Sequence, residues 1–190
     1  MIMHINIPNA LTIFRIFAIP LIVLVFFLPV SWARPASGWL FALASVTDWL
    51  DGYLARRLDQ TSKFGAFLDP VADKLIVSTS LVLLVQADPE IVPSMIAVII
   101  IGREIAVSAL REWMSELGAR GQITVTFFGK WKTTLQMIGI SLMLYQNEIF
   151  GFPTYRSGIA FMLVAAGLTL WSMLDYLKAA WPIIVTDRDQ

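Results

Sequence analysis

The sequence predicts an all-α membrane protein with six transmembrane helices and an amino-terminal interfacial helix. Three observations support this fold class: 57% of the 190 residues are hydrophobic, only 15% are charged, and the mean hydropathy is +0.72. An ordinary soluble domain is far less apolar and carries about 25% charged residues. We expect a single membrane domain over residues 1–190, without internal repeats.

Six apolar runs mark the predicted spans. Several are shorter than the roughly 20 residues that a helix needs to cross a bilayer, so these helices must extend into flanking segments that carry charge. The segment from Asn9 to Arg15 is predicted to form the interfacial helix, with Asn9 as its N-cap and Arg15 reaching toward water. The runs are Phe17 to Trp32, Gly38 to Val46, Leu75 to Val85, Ile91 to Ile101, Leu135 to Tyr145 and Gly158 to Trp171.

The distribution of Lys and Arg predicts the orientation. Of the 14 basic residues, only Arg34 and Arg156 fall in loops of one side. Positive charge accumulates on cytoplasmic loops, so both termini and the loops after the second and fourth spans are predicted to face the cytoplasm.

The residue inventory limits the kind of metal site. Cysteine is absent and His4 is the single histidine, which excludes disulfides, thiolate sites and paired imidazoles. Oxygen ligands remain, and these suit hard ions such as Mg²⁺ or Mn²⁺.

Four aspartates lie in the pattern D-x2-D-G-x2-A-R-x8-G-x3-D-x3-D: Asp48, Asp51, Asp69 and Asp73. Acids inside apolar helices are costly and usually functional. Spacings of three and four place each pair on one helix face. With the second and third helices as antiparallel neighbours, the four acids can surround two divalent ions that clamp a phosphate. Asp59 falls outside the pattern.

The residues between the acids fit a phosphate site. Gly52, Ala55 and Gly65 are small enough for close helix packing or for a ligand to approach the backbone, and packing explains the glycines equally well. Arg56 offers a planar cation that can bind two phosphate oxygens at once. The alternative for the acids is a set of interfacial salt bridges. Its basic partners would be Arg56, Arg57, Lys63 and Lys74.

The motif from Asp48 to Asp73 resembles the signature of the CDP-alcohol phosphotransferase family of membrane enzymes. Further similarity lies in Pro8-Asn9-Ala-Leu-Thr12-Ile-Phe-Arg15, Ile101-Gly-Arg103-Glu104-Ile and Gly129-Lys130-Trp-Lys132-Thr133. The resemblance implies transfer of a phosphatidyl group from CDP-diacylglycerol to an alcohol, with release of CMP. It also implies a homodimer in the lipid of a bacterial inner membrane. We expect no nucleic-acid partner.

The resemblance also assigns roles to individual residues. Asp48, Asp51 and Asp69 would hold two divalent cations, Mg²⁺ or Mn²⁺, and Asp73 would contribute to the second site and serve as general base. The site for CDP would be lined by Gly52, Ala55, Arg56 and Gly65.

A basic cluster on the fourth and fifth spans is predicted to bind an acceptor that carries phosphate, such as glycerol 3-phosphate. Ordinary positive-inside charge is the alternative reading of this cluster. Glu104 is expected to pair with a neighbouring base. Asn9, Thr12 and Arg15 are expected to assist in acceptor or headgroup binding from the amino-terminal helix, where capping and interfacial anchoring explain them nearly as well. The cluster comprises Arg103, Arg111, Lys130 and Lys132.

Other functions remain open at this point. The acceptor can be another alcohol, such as serine, inositol phosphate or a preformed diacylglycerol. A prenyltransferase also binds pyrophosphate through Mg²⁺, but its two acidic motifs usually lie far apart in sequence. A cation transporter or channel would need acids along a path across the membrane, whereas these cluster at one edge.

Overall fold

The computed structural model describes residues 7–58, 63–116 and 128–186, and these form six helices and short turns. Side chains are described within these ranges except at 7–8, 51–58, 63–64, 66, 128–130 and 179–186. The helices are α1 (Ile7–Phe26), α2 (Ala33–Leu58), α3 (Lys63–Ala87), α4 (Ile91–Glu116), α5 (Phe128–Tyr145) and α6 (Thr154–Thr186). The predicted all-α class is confirmed.

Helices α2 and α3 extend beyond their apolar runs, as the lengths of those runs predicted. Helix α2 continues for twelve residues past Val46, through Asp48, and α3 begins at Lys63, twelve residues before Leu75. The two helices therefore carry the acidic motif on regular helical backbone.

Residues 9–15 form the first turns of α1, in continuity with the first span. The prediction that Arg15 reaches toward water is wrong. Asn9, Thr12 and Arg15 recur every three residues on one helix face, and their exposed fractions are 8%, 1% and 1%. This face is buried because α1 packs against both α2 and α3.

Helix α1 also changes the predicted relation between α2 and α3. In the part of the chain that the structure describes, these two helices contact each other at few points, whereas each packs extensively against α1. The acids of the two helices nevertheless meet through Arg15 of α1, because Asp48 and Asp73 both bind its Nη1 atom. The apolar face of α1 explains this arrangement, since Ala18, Ile22 and Phe26 are all buried in the core.

Helices α5 and α6 form the most extensive helix pair of the structure. They approach closely at two glycines: a Cβ atom at Gly158 would lie 2.8 Å from the backbone oxygen of Gly139. Small residues allow such backbone contact between membrane helices. This pair in turn contacts α2 through α5 and α4 through α6, which completes the bundle.

Large apolar side chains cover the outer surface of the bundle. Such a surface is far more apolar than that of a soluble monomer and fits contact with lipid. Three described helices contain stretches long and apolar enough to cross a membrane: Asn9–Phe26, Ile91–Glu116 and Thr154–Lys178. The most exposed side chains include Phe17, Leu24, Trp39, Val98 and Trp171.

Candidate active site

Three of the four motif aspartates converge on one side chain of α1. The Nη1 atom of Arg15 lies 2.5 Å from Oδ1 of Asp48 and donates to Oδ1 of Asp73 as well. Its Nη2 atom lies 3.6 Å from Oδ1 of Asp69. Asp48 belongs to the carboxyl-terminal half of α2 and the other two to the amino-terminal half of α3, so these ends of the helices meet at Arg15.

Thr12 lies one helical turn before Arg15 and donates from Oγ1 to Oδ1 of Asp69. A guanidinium group that is 1% exposed needs carboxylate partners, because an unpaired buried charge is strongly destabilising. The carboxylates themselves are 34–42% exposed, so they border solvent while Arg15 lies beneath them. The structure thus places Thr12 and Arg15 among the acids.

The acidic centre, which we define as Asp48, Asp69 and Asp73 around Arg15, has a formal charge of −2. Among the described side chains, no three acids lie close enough to each other to hold a metal ion. The guanidinium of Arg15 forms ion pairs with all three of these carboxylates. The donors are carboxylate oxygens that already share one cation. Their chemistry fits a hard divalent ion.

The remaining motif residues of α2 are Asp51, Gly52, Ala55 and Arg56, whose side chains lie outside the described residues. The helical backbone through Leu58 places positions 51, 52 and 55 in register with Asp48, at three, four and seven residues along the helix. Gly65 is buried near the start of α3.

A second cluster of charge joins α4, α5 and α6. Arg103 is 6% exposed and donates from Nη1 to Oε1 of Glu104 at 2.8 Å and from Nη2 to Oγ of Ser172 at 3.2 Å. Arg111, two turns further along α4, donates from Nη2 to the hydroxyl of Tyr176. The expected pairing of Glu104 with a neighbouring base is confirmed.

Tyr176 also lies beneath both guanidinium groups. The Cζ atoms of Arg103 and Arg111 are 5.8 Å and 5.0 Å from the centroid of its ring, within the range of cation–π attraction. Lys132 of α5 is 8% exposed and lies within electrostatic range of Arg103, Arg111 and Glu104. The side chain of Lys130 lies outside the described residues.

The basic cluster, which we define as Arg103, Arg111 and Lys132 with Glu104, has a formal charge of +2. The structure therefore brings together three of the four basic residues that the sequence proposed for an acceptor phosphate. Thr12, proposed for the same role, instead donates to Asp69 in the acidic centre.

Sequence reasoning did not place Arg15 among the acids, and it missed Ser172 and Tyr176 beside the basic cluster. A signal for Arg15 was available, because a lone arginine within an apolar helix requires a counter-ion. The signal for the other two was weaker: two hydroxyl side chains four residues apart share a helix face just after an apolar run.

Comparison with known proteins agrees with the motif. The family model for CDP-alcohol phosphatidyltransferase matches residues 5–171, which include the acidic centre and the basic cluster. A Pseudomonas fluorescens protein named CDP-diacylglycerol--glycerol-3-phosphate 3-phosphatidyltransferase is 53% identical over 184 residues, covering 96% of this chain and 93% of the relative.

Two further relatives carry the same name. The one from Escherichia coli (strain K12) is 50% identical and the one from Salmonella choleraesuis (strain SC-B67) is 49% identical, each over 178 residues that cover 94% of this chain and 96% of the relative. The chain belongs to the CDP-alcohol phosphatidyltransferase family.

Proposed function

We propose that this protein transfers the phosphatidyl group of CDP-diacylglycerol to glycerol 3-phosphate, giving phosphatidylglycerophosphate and CMP. The observation that carries the proposal is the near-full-length similarity, at 49–53% identity, to relatives named for this reaction. The two clusters of opposite charge support it, because the reaction joins a metal-dependent diphosphate donor to an anionic acceptor.

In this proposal the acidic centre is the metal site. Asp48, Asp51, Asp69 and Asp73 hold two divalent cations, Mg²⁺ or Mn²⁺. When bound, these ions offset the negative charge of the diphosphate and of the departing CMP. The support is the convergence of three of the carboxylates on Arg15, which brings acids of α2 and α3 to one place.

The protein's own residues supply the remaining steps. Arg56 pairs with phosphate oxygens of the CDP group, and its charge favours the transition state in which negative charge moves onto CMP. Gly52, Ala55 and Gly65 leave room for the nucleotide beside the helix backbone. Asp73 accepts the proton of the attacking hydroxyl, and its exposure of 37% leaves it accessible to an acceptor.

We place the acceptor phosphate at the basic cluster. Arg103, Arg111, Lys130 and Lys132 bind it. One carboxylate, Glu104, offsets only part of the positive charge, so the cluster retains attraction for a dianion. A neutral alcohol or a zwitterion such as serine would leave that charge without a partner, which favours glycerol 3-phosphate.

The proposal places six transmembrane helices in a bacterial inner membrane, with both termini and the active site facing the cytoplasm. The described helices contain 18–33 residues, which at a rise of about 1.5 Å per residue corresponds to about 27–50 Å, against a hydrocarbon core of about 30 Å. It also includes a homodimer, which chemical crosslinking in native membranes tests directly. A single monomeric species at every crosslinker concentration would contradict the dimer.

The reaction is tested with purified protein, CDP-diacylglycerol and each candidate alcohol in turn, by measuring release of CMP. We expect CMP only when Mg²⁺ or Mn²⁺ and glycerol 3-phosphate are both present, and none in EDTA. Metal-dependent CMP release with serine or inositol phosphate, but not with glycerol 3-phosphate, would refute the proposed acceptor.

A further inference from the structure

Two hydroxyl side chains of α6 hold the arginines of the basic cluster. Ser172 and Tyr176 are four residues apart, on one face of α6, and are 6% and 8% exposed. They lie just beyond residue 171, where the match to the family model ends. Neither residue is part of the acidic motif or of the basic segments that the sequence analysis singled out.

The hydrogen bonds of Ser172 fix its direction. Its Oγ donates to the backbone oxygen of Thr169 at 2.9 Å, which uses the hydroxyl hydrogen and leaves lone pairs for the guanidinium of Arg103 at 3.2 Å. Ser172 therefore acts as an oriented acceptor for Arg103, tied to the backbone of α6.

Tyr176 acts on both arginines at once. Its hydroxyl accepts from Nη2 of Arg111, and its ring lies within 5.8 Å of the Cζ atom of Arg103 and 5.0 Å of that of Arg111. Two like charges repel each other when they approach a common point. The negative face of an aromatic ring offsets part of this repulsion.

The groups that hold the arginines, the side chains of Ser172 and Tyr176, are neutral, so they do not cancel the positive charge of the arginines. A carboxylate in either position would pair with an arginine and cancel its charge. Hydroxyl groups and a ring face orient the guanidinium groups while the formal charge of the basic cluster stays at +2. Such an arrangement prepares two planar donors for one anion and leaves them attractive to it.

We propose that Tyr176, together with Ser172, is a positioning residue that sets the two arginines for the phosphate of the acceptor and thereby determines specificity for a phosphorylated alcohol. This inference rests on the proposed function. Tyr176 acts through Arg103 and Arg111, so its loss weakens acceptor binding more than the chemical step or the binding of CDP-diacylglycerol.

The experiment compares Tyr176→Phe, which keeps the ring, with Tyr176→Leu, which removes both ring and hydroxyl. Steady-state kinetics with each substrate varied in turn gives separate KM values. For Tyr176→Phe we expect the KM for glycerol 3-phosphate to rise about tenfold, the effect of losing one hydrogen bond to a charged group. For Tyr176→Leu we expect a larger rise, and for both variants a kcat within about twofold of wild type.

Tyr155→Phe is the matched control. Tyr155 lies at the other end of α6, and its hydroxyl donates to Oδ2 of Asp88. Tyr155→Phe removes the hydroxyl and with it this partly buried hydrogen bond of the same helix. We therefore expect a small fall in Tm with unchanged KM values. Ser172→Ala is expected to raise the KM for glycerol 3-phosphate by a smaller factor than Tyr176→Phe.

A wild-type KM for glycerol 3-phosphate in Tyr176→Phe would overturn the inference, as would equal increases in the KM of both substrates. If Tyr176→Leu fails to fold, Tyr176→Phe decides alone, with its Tm as the check on folding. A wild-type protein that releases no CMP with glycerol 3-phosphate marks failure of the proposed function itself, which is a separate outcome.

Discussion

The acidic centre and the basic cluster are built from different halves of the chain and have formal charges of opposite sign. Helices α1 to α3 place three carboxylates around one guanidinium, for a formal charge of −2. Helices α4 to α6 place three cations beside one carboxylate and two neutral hydroxyls, for a formal charge of +2. The described members of the two regions therefore carry net charges of opposite sign.

The comparison teaches how one bundle can offer one site suited to a cation and another suited to an anion. The acidic centre can gain stability from divalent cations, and the basic cluster from a phosphate. The opposite net charges of the two regions are consistent with sites for ligands of opposite sign. A substitution in one of the two regions should therefore alter the binding of only one of the two ligands.

Loss of a carboxylate from the acidic centre is the strongest way to test this division. Asp69→Asn is expected to lower kcat by about a thousandfold or more, because a weakened metal site removes several kcal/mol of transition-state stabilisation. CMP release at saturating Mg²⁺ measures this. Asp59→Asn, outside the motif, is the control and should retain wild-type activity; comparable activity in the two variants would contradict a metal role for Asp69.

Loss of a cation from the basic cluster should affect the acceptor instead. Arg111→Gln is expected to raise the KM for glycerol 3-phosphate by about 10- to 100-fold, as for loss of a charge-assisted hydrogen bond, with little change in the Mg²⁺ dependence. Arg156→Gln, exposed near the opposite end of α6, serves as control. A change in Mg²⁺ dependence, with an unchanged KM for the acceptor, would contradict the assignment of the acceptor to the basic cluster and of the metal to the acidic centre.

Removal of Arg15 should destabilise the acidic centre. Arg15→Gln leaves three carboxylates without their shared cation, and we expect the free energy of unfolding in EDTA to fall by about 1–3 kcal/mol, since the carboxylates are partly exposed and solvent screens them. Thermal unfolding in EDTA and in Mg²⁺ measures this.

Mg²⁺ should restore more stability to Arg15→Gln than to wild type, and Arg15→Lys, which keeps the charge, should lie between the two. An unchanged Tm for Arg15→Gln in EDTA would show that the guanidinium does not stabilise the acidic centre.

The contact between α5 and α6 should affect stability without favouring either ligand. A methyl group at Gly158 would lie 2.6 Å from the side chain of Met143 and 2.8 Å from the backbone oxygen of Gly139, so Gly158→Ala is expected to cost about 1–3 kcal/mol through overpacking. Gly167→Ala on the same helix has open space at its Cβ position and is the control. Equal Tm values for the two variants would contradict the close packing.

Much of the helical architecture could be predicted from the sequence. Apolar runs placed the helices, and the shortness of the run from Gly38 to Val46 correctly required α2 to continue through the acids. The spacing of Asp69 and Asp73 predicted a shared face, and both contact Arg15. These features are local, since they depend on helix period and on span length.

The order in which helices pack was not accessible in the same way. Nothing in the periodicity of α1 shows that it contacts both α2 and α3, so Arg15 was assigned to water instead of to the acids. Tyr176 was missed because its partners lie 65 and 73 positions earlier in the chain. Such contacts depend on tertiary packing, for which a single sequence carries no direct signal.

Titration with Mn²⁺, followed by the electron paramagnetic resonance signal of the free ion, tests the central claim that the carboxylates of α2 and α3 jointly bind divalent cations. The detergent-solubilised wild-type protein should remove about two Mn²⁺ ions per chain from solution, as a two-ion site requires. Asp69→Asn should lose this binding, whereas Arg111→Gln should retain it. Absence of saturable Mn²⁺ binding by the wild type, or equal binding by Asp69→Asn, would contradict the claim.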